Sequence, residues 1–135
     1  MLVRAIIIGL LGAVLTALIA WSPIIPDPLA FHTALLTMIG AIYMGFAFAD
    51  GRPSIVILEL SVATVFIVLS LLGLWVAPIF IGIGLILHGL WDLAHSPRGI
   101  KTKIPAWYPA FCAAFDFLFA AVFLFLARDI AHHAK

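Results

Sequence analysis

Five apolar runs dominate the chain, at 3–21, 29–49, 54–74, 76–95 and 106–127. Each comes close to the roughly 20 residues that an α-helix needs to cross the hydrocarbon core of a bilayer. A β-barrel would show alternating strands of about ten residues, and these Leu-, Ile-, Ala- and Phe-rich runs do not alternate. The expected architecture is all-α, a polytopic transmembrane bundle of five helices forming one domain over residues 1–135. Composition excludes the water-soluble alternative. Hydrophobic residues make up 66% of the chain and charged ones 10%, against about 45–50% and 25% in soluble domains. So little polar material cannot cover a globule.

Turn signals separate the runs: "SPIIPDP" at 22–28, "DGRP" at 50–53, "LWVAP" near 74–78 and "SPRGIKTKIP" at 96–105. The third break is the weakest and predicts a tight hairpin. The first run, with its basic start and small residues at Ala17 and Ala20, has features of a signal peptide. It is long for a signal's apolar core, so a membrane helix is expected. Lys and Arg concentrate on the cytoplasmic ends of membrane helices. With five crossings, Arg4, Arg52, Arg98, Lys101 and Lys103 share one side, and Arg128 and Lys135 the other. This count predicts a cell-membrane protein with a cytoplasmic N-terminus and an external C-terminus. A net charge of +1 and no basic patch argue against nucleic acid as a partner.

Ionisable groups inside apolar runs are the strongest functional lead. Each is costly in hydrocarbon, by about 2.5–3.5 kcal/mol on insertion scales, so such groups pair, face inward and mark sites. His88, Asp92 and His95 stand at i, i+4 and i+7, which on a helix confines them to an arc of about 60°. Gly84 leaves room one turn earlier, and Trp91 borders the group with its indole N–H expected toward water. Glu59 falls about 8 Å into the third helix and His88 about 10 Å from the same side. Asp116 lies in the fifth helix, with Cys112 on its face. On the second helix His32, Tyr43 and Asp50 return to one face, beside Gly40 and Ala47.

Three chemistries suit this set. His88, Asp92 and His95 have sensible spacing for a divalent metal, zinc or iron, as cofactor. Alternatively Glu59 and Asp116 are acid–base groups, with His88 and Asp92 positioning or relaying a proton. In the third reading His–Asp and Glu–His hydrogen bonds only fix helix packing, the reading favoured for His95 and Asp50. Cys112 has no His or Lys beside it in sequence and reads as a small buried hydrophobe. The Phe-rich stretch near 115–126 reads as packing, and His132 and His133 as a wet tail.

"GAIYMGFAF", "LELSVA", "GIGLILHGLWDLAH" and "FCAAFD" are similar to a group of small bacterial integral membrane proteins of unknown function. Their pattern has a Glu in the third helix, Leu-His-x-x-Trp-Asp-x-x-His-His, then Cys-x-x-Cys-Asp in the fifth. The resemblance spans roughly residues 40–120 and carries Glu59, His88, Trp91, Asp92, His95, Cys112 and Asp116. Ser96 replaces the pattern's final His and Phe115 its second Cys. The resemblance implies a five-helix membrane fold with a shared polar centre and no particular activity. Residue types, without any motif, are also similar to those of sterol-isomerase and sigma-2-receptor-like membrane domains, an analogy of fold alone.

The expected function is binding, and transformation, of a lipid-soluble small molecule at this centre, with Tyr43, Trp91 and Cys112 lining the ligand. Membrane lipids are the surroundings, and a homo-oligomer is expected if the same carboxylates serve a proton-coupled transporter. A non-catalytic accessory subunit is the other alternative.

Overall fold

The computed structural model describes the backbone of residues 1–95 and 99–133 and the side chains of 1–95 and 99–127. Ser96, Arg98 and Lys135, and the side chains of Arg128, His132 and His133, lie outside the described residues. Within them all regular structure is helical: α1 Leu2–Ala20, α2 Pro28–Asp50, α3 Pro53–Trp75, α4 Ile79–Ala94 and α5 Tyr108–His133. Four of these, α1, α2, α3 and α5, are long and apolar enough to cross a membrane. The fourth is shorter than the run at 76–95 predicts. Its 16 residues span about 24 Å at 1.5 Å per residue.

The helix ends follow local chemistry. Asp27 caps α2, its side chain accepting from the Ala30 N–H at 3.0 Å, and Pro28 occupies the first turn, where no N–H is needed. Gly51 ends α2 with φ 77°, a left-handed conformation open to glycine at little steric cost. Pro53 starts α3. The α3–α4 hairpin is tight, as predicted: Val76 N–H donates to Leu72 C=O at 2.9 Å, and Pro78 keeps α4 from starting before Ile79.

The bundle is packed inside out relative to a soluble protein. The buried face of α1 is Ala5, Gly9, Ala13, Ala17 and Ala20, small residues that let backbones approach. Gly9 lies against the Phe111 backbone of α5. Large aliphatic side chains such as Leu11, Leu15 and Leu18 point outward. The main pairings are α1 with α5, α2 with α3, and α4 with α5, while α4 also touches α3 and α2. Its glycines make this central position available: Gly82 and Gly89 face Leu124 and Phe117 of α5, and Gly84 faces Leu36 of α2. The core combines Leu36, Ile39, Phe66, Ile81, Leu85, Phe119 and Phe123. At the end where α2 passes into α3, polar side chains replace it.

Candidate functional site

Helices α2, α3, α4 and α5 each send at least one ionisable or hydroxyl side chain into that end of the bundle. Glu59, His88, Asp92 and Asp116 are all at most 1% exposed. They form two groups.

In the first, three donors converge on Glu59. His95 Nε2 lies 2.8 Å from Oε1, the Thr102 hydroxyl donates to the same oxygen at 2.5 Å, and the Trp91 indole N–H donates to Oε2 at 3.2 Å. The Trp91 indole thus faces a carboxylate inside the bundle and not water, because an ionisable oxygen is the stronger acceptor. His95 Nδ1 is 2.9 Å from the Trp91 carbonyl, which can only accept, so Nδ1 carries hydrogen. The Nε2–Oε1 bond then holds one proton, and the pair is neutral overall on whichever atom that proton sits. His95 is buried, and its bond to Glu59 is the Glu–His pairing that the packing reading describes.

In the second group, His88 Nδ1 is 2.6 Å from Asp116 Oδ2 and 3.4 Å from Asp92 Oδ2. The Tyr43 hydroxyl donates to Asp92 Oδ1 at 2.7 Å. Among the described residues, Asp92 Oδ2 and His88 Nε2 are buried without a hydrogen-bond partner. Sequence spacing groups His88 and Asp92 with His95. The fold instead groups them with Asp116, donor atoms lying within 4.8 Å of one another, and turns His95 to Glu59. The Tyr43 ring separates the two groups, with its centroid 4.5 Å from that of His95 and 5.8 Å from that of His88.

A strap that sequence reading leaves as turn material closes the first group. Residues 99–104 fold back over Glu59 through Thr102. Asp50 holds the strap, accepting from the Lys103 N–H at 2.9 Å and from Arg52 through Nε at 2.6 Å and a terminal guanidinium nitrogen at 2.8 Å. That guanidinium also donates to the Lys101 carbonyl. Hydrogen bonding to Asp50 raises the Arg52 pKa above its ordinary value. Thr102 carries no sequence signal, being one hydroxyl between two lysines in a loop.

Two hollows flank the centre. One, of about 290 Å³, is lined by His95 and the strap residues Ile100 to Ile104. The other, of about 270 Å³, is a groove between α1, α2 and α5 with almost wholly apolar walls, including Met38, Ile42 and Phe115. Tyr108, Cys112 and Asp116 also line it. Cys112 is thus placed at a groove wall, while Trp91 and Tyr43 are engaged with Glu59 and Asp92. His32 is buried, with its ring stacked on Phe119 at 5.3 Å and its Nδ1 2.5 Å from the Pro28 carbonyl.

Fold and site together define a membrane-type helical bundle with a buried carboxylate–imidazole centre. The chain belongs to DUF6010, a family of unknown function, whose pattern matches residues 1–129, in keeping with the resemblance its motifs carry. No curated protein and no solved structure matches the chain.

Proposed function

We propose that this protein binds a lipid-soluble small molecule in the groove between α1, α2 and α5 and acts on its polar end. The observation that carries the reading is the groove itself. Its apolar walls suit a ligand partitioned in lipid, and its lining includes Asp116, a carboxylate bonded to His88 behind it. The reaction class is proton transfer at the ligand's polar group, because the buried partners are carboxylates, imidazoles and a phenol. The hollow at His95 lies beside the lysine-bearing strap, and the reading makes it the aqueous side of the centre. The charge count puts that side in the cytoplasm, so the ligand enters from the cytoplasmic half of the bilayer.

A transporter is the lesser reading. Against the centre and beyond it, Leu36, Phe66, Leu85 and Phe119 form apolar core, which suits a closed site better than a through-path for ions.

The test uses a diazirine-bearing fatty acid in nanodiscs containing the purified protein. Cross-links are expected at residues 38–42 and 111–116, and Ile42→Trp, which fills the groove, should remove them. Labelling spread evenly over the outward faces of α1 and α3 would overturn the groove as a binding site. Proton flux into liposomes that Asp116→Asn abolishes would replace the reading with transport.

A further inference from the structure

We propose that His88, Asp92 and Asp116 form a binding site for a divalent first-row transition metal ion, with Tyr43 as the residue that positions Asp92. The inference deepens the functional reading of this centre and rests on it, but it concerns the ion alone and needs no ligand in the groove.

Geometry comes first. His88 Nδ1 faces two carboxylate oxygens, Asp116 Oδ2 at 2.6 Å and Asp92 Oδ2 at 3.4 Å. Nitrogen and oxygen ligands about 2.1 Å from one ion stand about 3.0–3.4 Å apart in octahedral or tetrahedral arrangements. The shorter separation falls just below that range and the longer at its upper edge, and all three donor atoms lie within 4.8 Å of one another, so an ion enters with local side-chain movements.

An independent observation is the orphan oxygen. Asp92 is fully buried, and its Oδ2, 3.4 Å from His88 Nδ1, has no hydrogen-bond partner among the described residues. Its twin Oδ1 is satisfied by Tyr43. A buried carboxylate oxygen without a donor is expensive, and a cation at the focus of the three donors satisfies it. The Tyr43 bond to the outer oxygen is the usual second support of a ligating carboxylate, fixing which oxygen points inward.

Charge supplies the third argument. Two carboxylates and a neutral imidazole carry −2, which one divalent ion cancels in surroundings made of Phe66, Leu85 and Phe119. One imidazole with carboxylate oxygens suits zinc, iron or manganese, and the absence of thiolate from the donor set disfavours soft ions. His95 is excluded from the set because both its nitrogens are occupied, by Glu59 and by the Trp91 carbonyl. Three protein ligands leave coordination positions open, and Asp116 reaches the groove wall, so the ion would polarise the polar end of a ligand bound there.

Cobalt(II) is the probe, because its ligand-field absorption reports coordination directly. Full-length protein, stripped with chelator in detergent, should take up one Co²⁺ per chain with a visible band. Asp92→Asn and Asp116→Asn should lose the band, and Tyr43→Phe should weaken binding by about 10–100-fold. Glu59→Gln, outside the donor set, should keep it. Helical circular dichroism and a monodisperse elution profile qualify each variant, and Tyr43→Phe decides the case if either Asp variant fails to fold. No band in the folded wild type would overturn the metal site, as would a band that survives both Asp substitutions or is lost equally in Glu59→Gln. Cross-linking of the diazirine lipid in the same metal-free protein would then leave the groove standing without the ion.

Discussion

At the residue scale the centre is a set of buried side-chain hydrogen bonds. Glu59 accepts from three side chains drawn from α4 and the strap, and Asp92 from one on α2. Tyr43→Phe removes a single oxygen and leaves Asp92 Oδ1 buried and unpaired, so the expected loss of stability is about 1–3 kcal/mol. Equilibrium unfolding in detergent measures it, and no change would mean that the carboxylate finds another donor. Thr102→Val keeps the volume and removes a donor to Glu59, with an expected loss of about 1 kcal/mol. Its amide exchange is the sharper readout: the strap amides should exchange faster than in the wild type, while those of α3 stay unchanged. The charged members of this site are legible in the sequence because each is a rare ionisable residue in an apolar run. Thr102 is not, since a loop threonine looks the same wherever its hydroxyl points.

At the element scale the short α4 and the turn between α2 and α3 place everything else. Gly51 holds φ 77° where α2 must stop. Gly51→Ala should cost about 1–2 kcal/mol through left-handed backbone strain, read as a lower unfolding midpoint with unchanged helix content. Beside it, Arg52 ties Asp50 to the strap with a side chain that is 47% exposed. Solvent screens the half-exposed guanidinium, and Asp50 keeps its bond from the Lys103 N–H, so Arg52→Ala should barely move global stability. It should speed proteolysis of the 99–107 segment, and equal rates in the two proteins would show that Thr102 and the Lys103 N–H hold it without Arg52. Turn chemistry made most helix ends readable, Asp27–Pro28, Gly51 and Pro53 above all. The start of α4 was harder, because an apolar turn at Val76–Ala77 continues the hydropathy of both neighbours without continuing their helices.

At the scale of the whole molecule, outward aliphatic side chains face a solvent that must itself be apolar. Trp75 and Trp107 are 74% and 44% exposed and stand near opposite ends of the bundle, as interfacial aromatic residues do. Tryptophan fluorescence in bilayers should therefore be quenched more by lipids brominated near the headgroup than by lipids brominated at mid-chain. The reverse order would mean that the bundle does not span in this register.

The sequence by itself determined the class, the number of helices and which polar residues fall inside apolar runs, because hydropathy and the cost of a charge in hydrocarbon act locally along the chain. Only the tertiary structure decided which of those residues meet. Helical spacing put His95 with His88 and Asp92, yet a helix face 60° wide is shared among several neighbours. The packing of α3 drew His95 to Glu59, and that of α5 brought Asp116 to His88. Those contacts, the strap over Glu59 and the groove beside Asp116 all follow from how the helices pack, set by glycines and small side chains whose pairing is not written in any one of them.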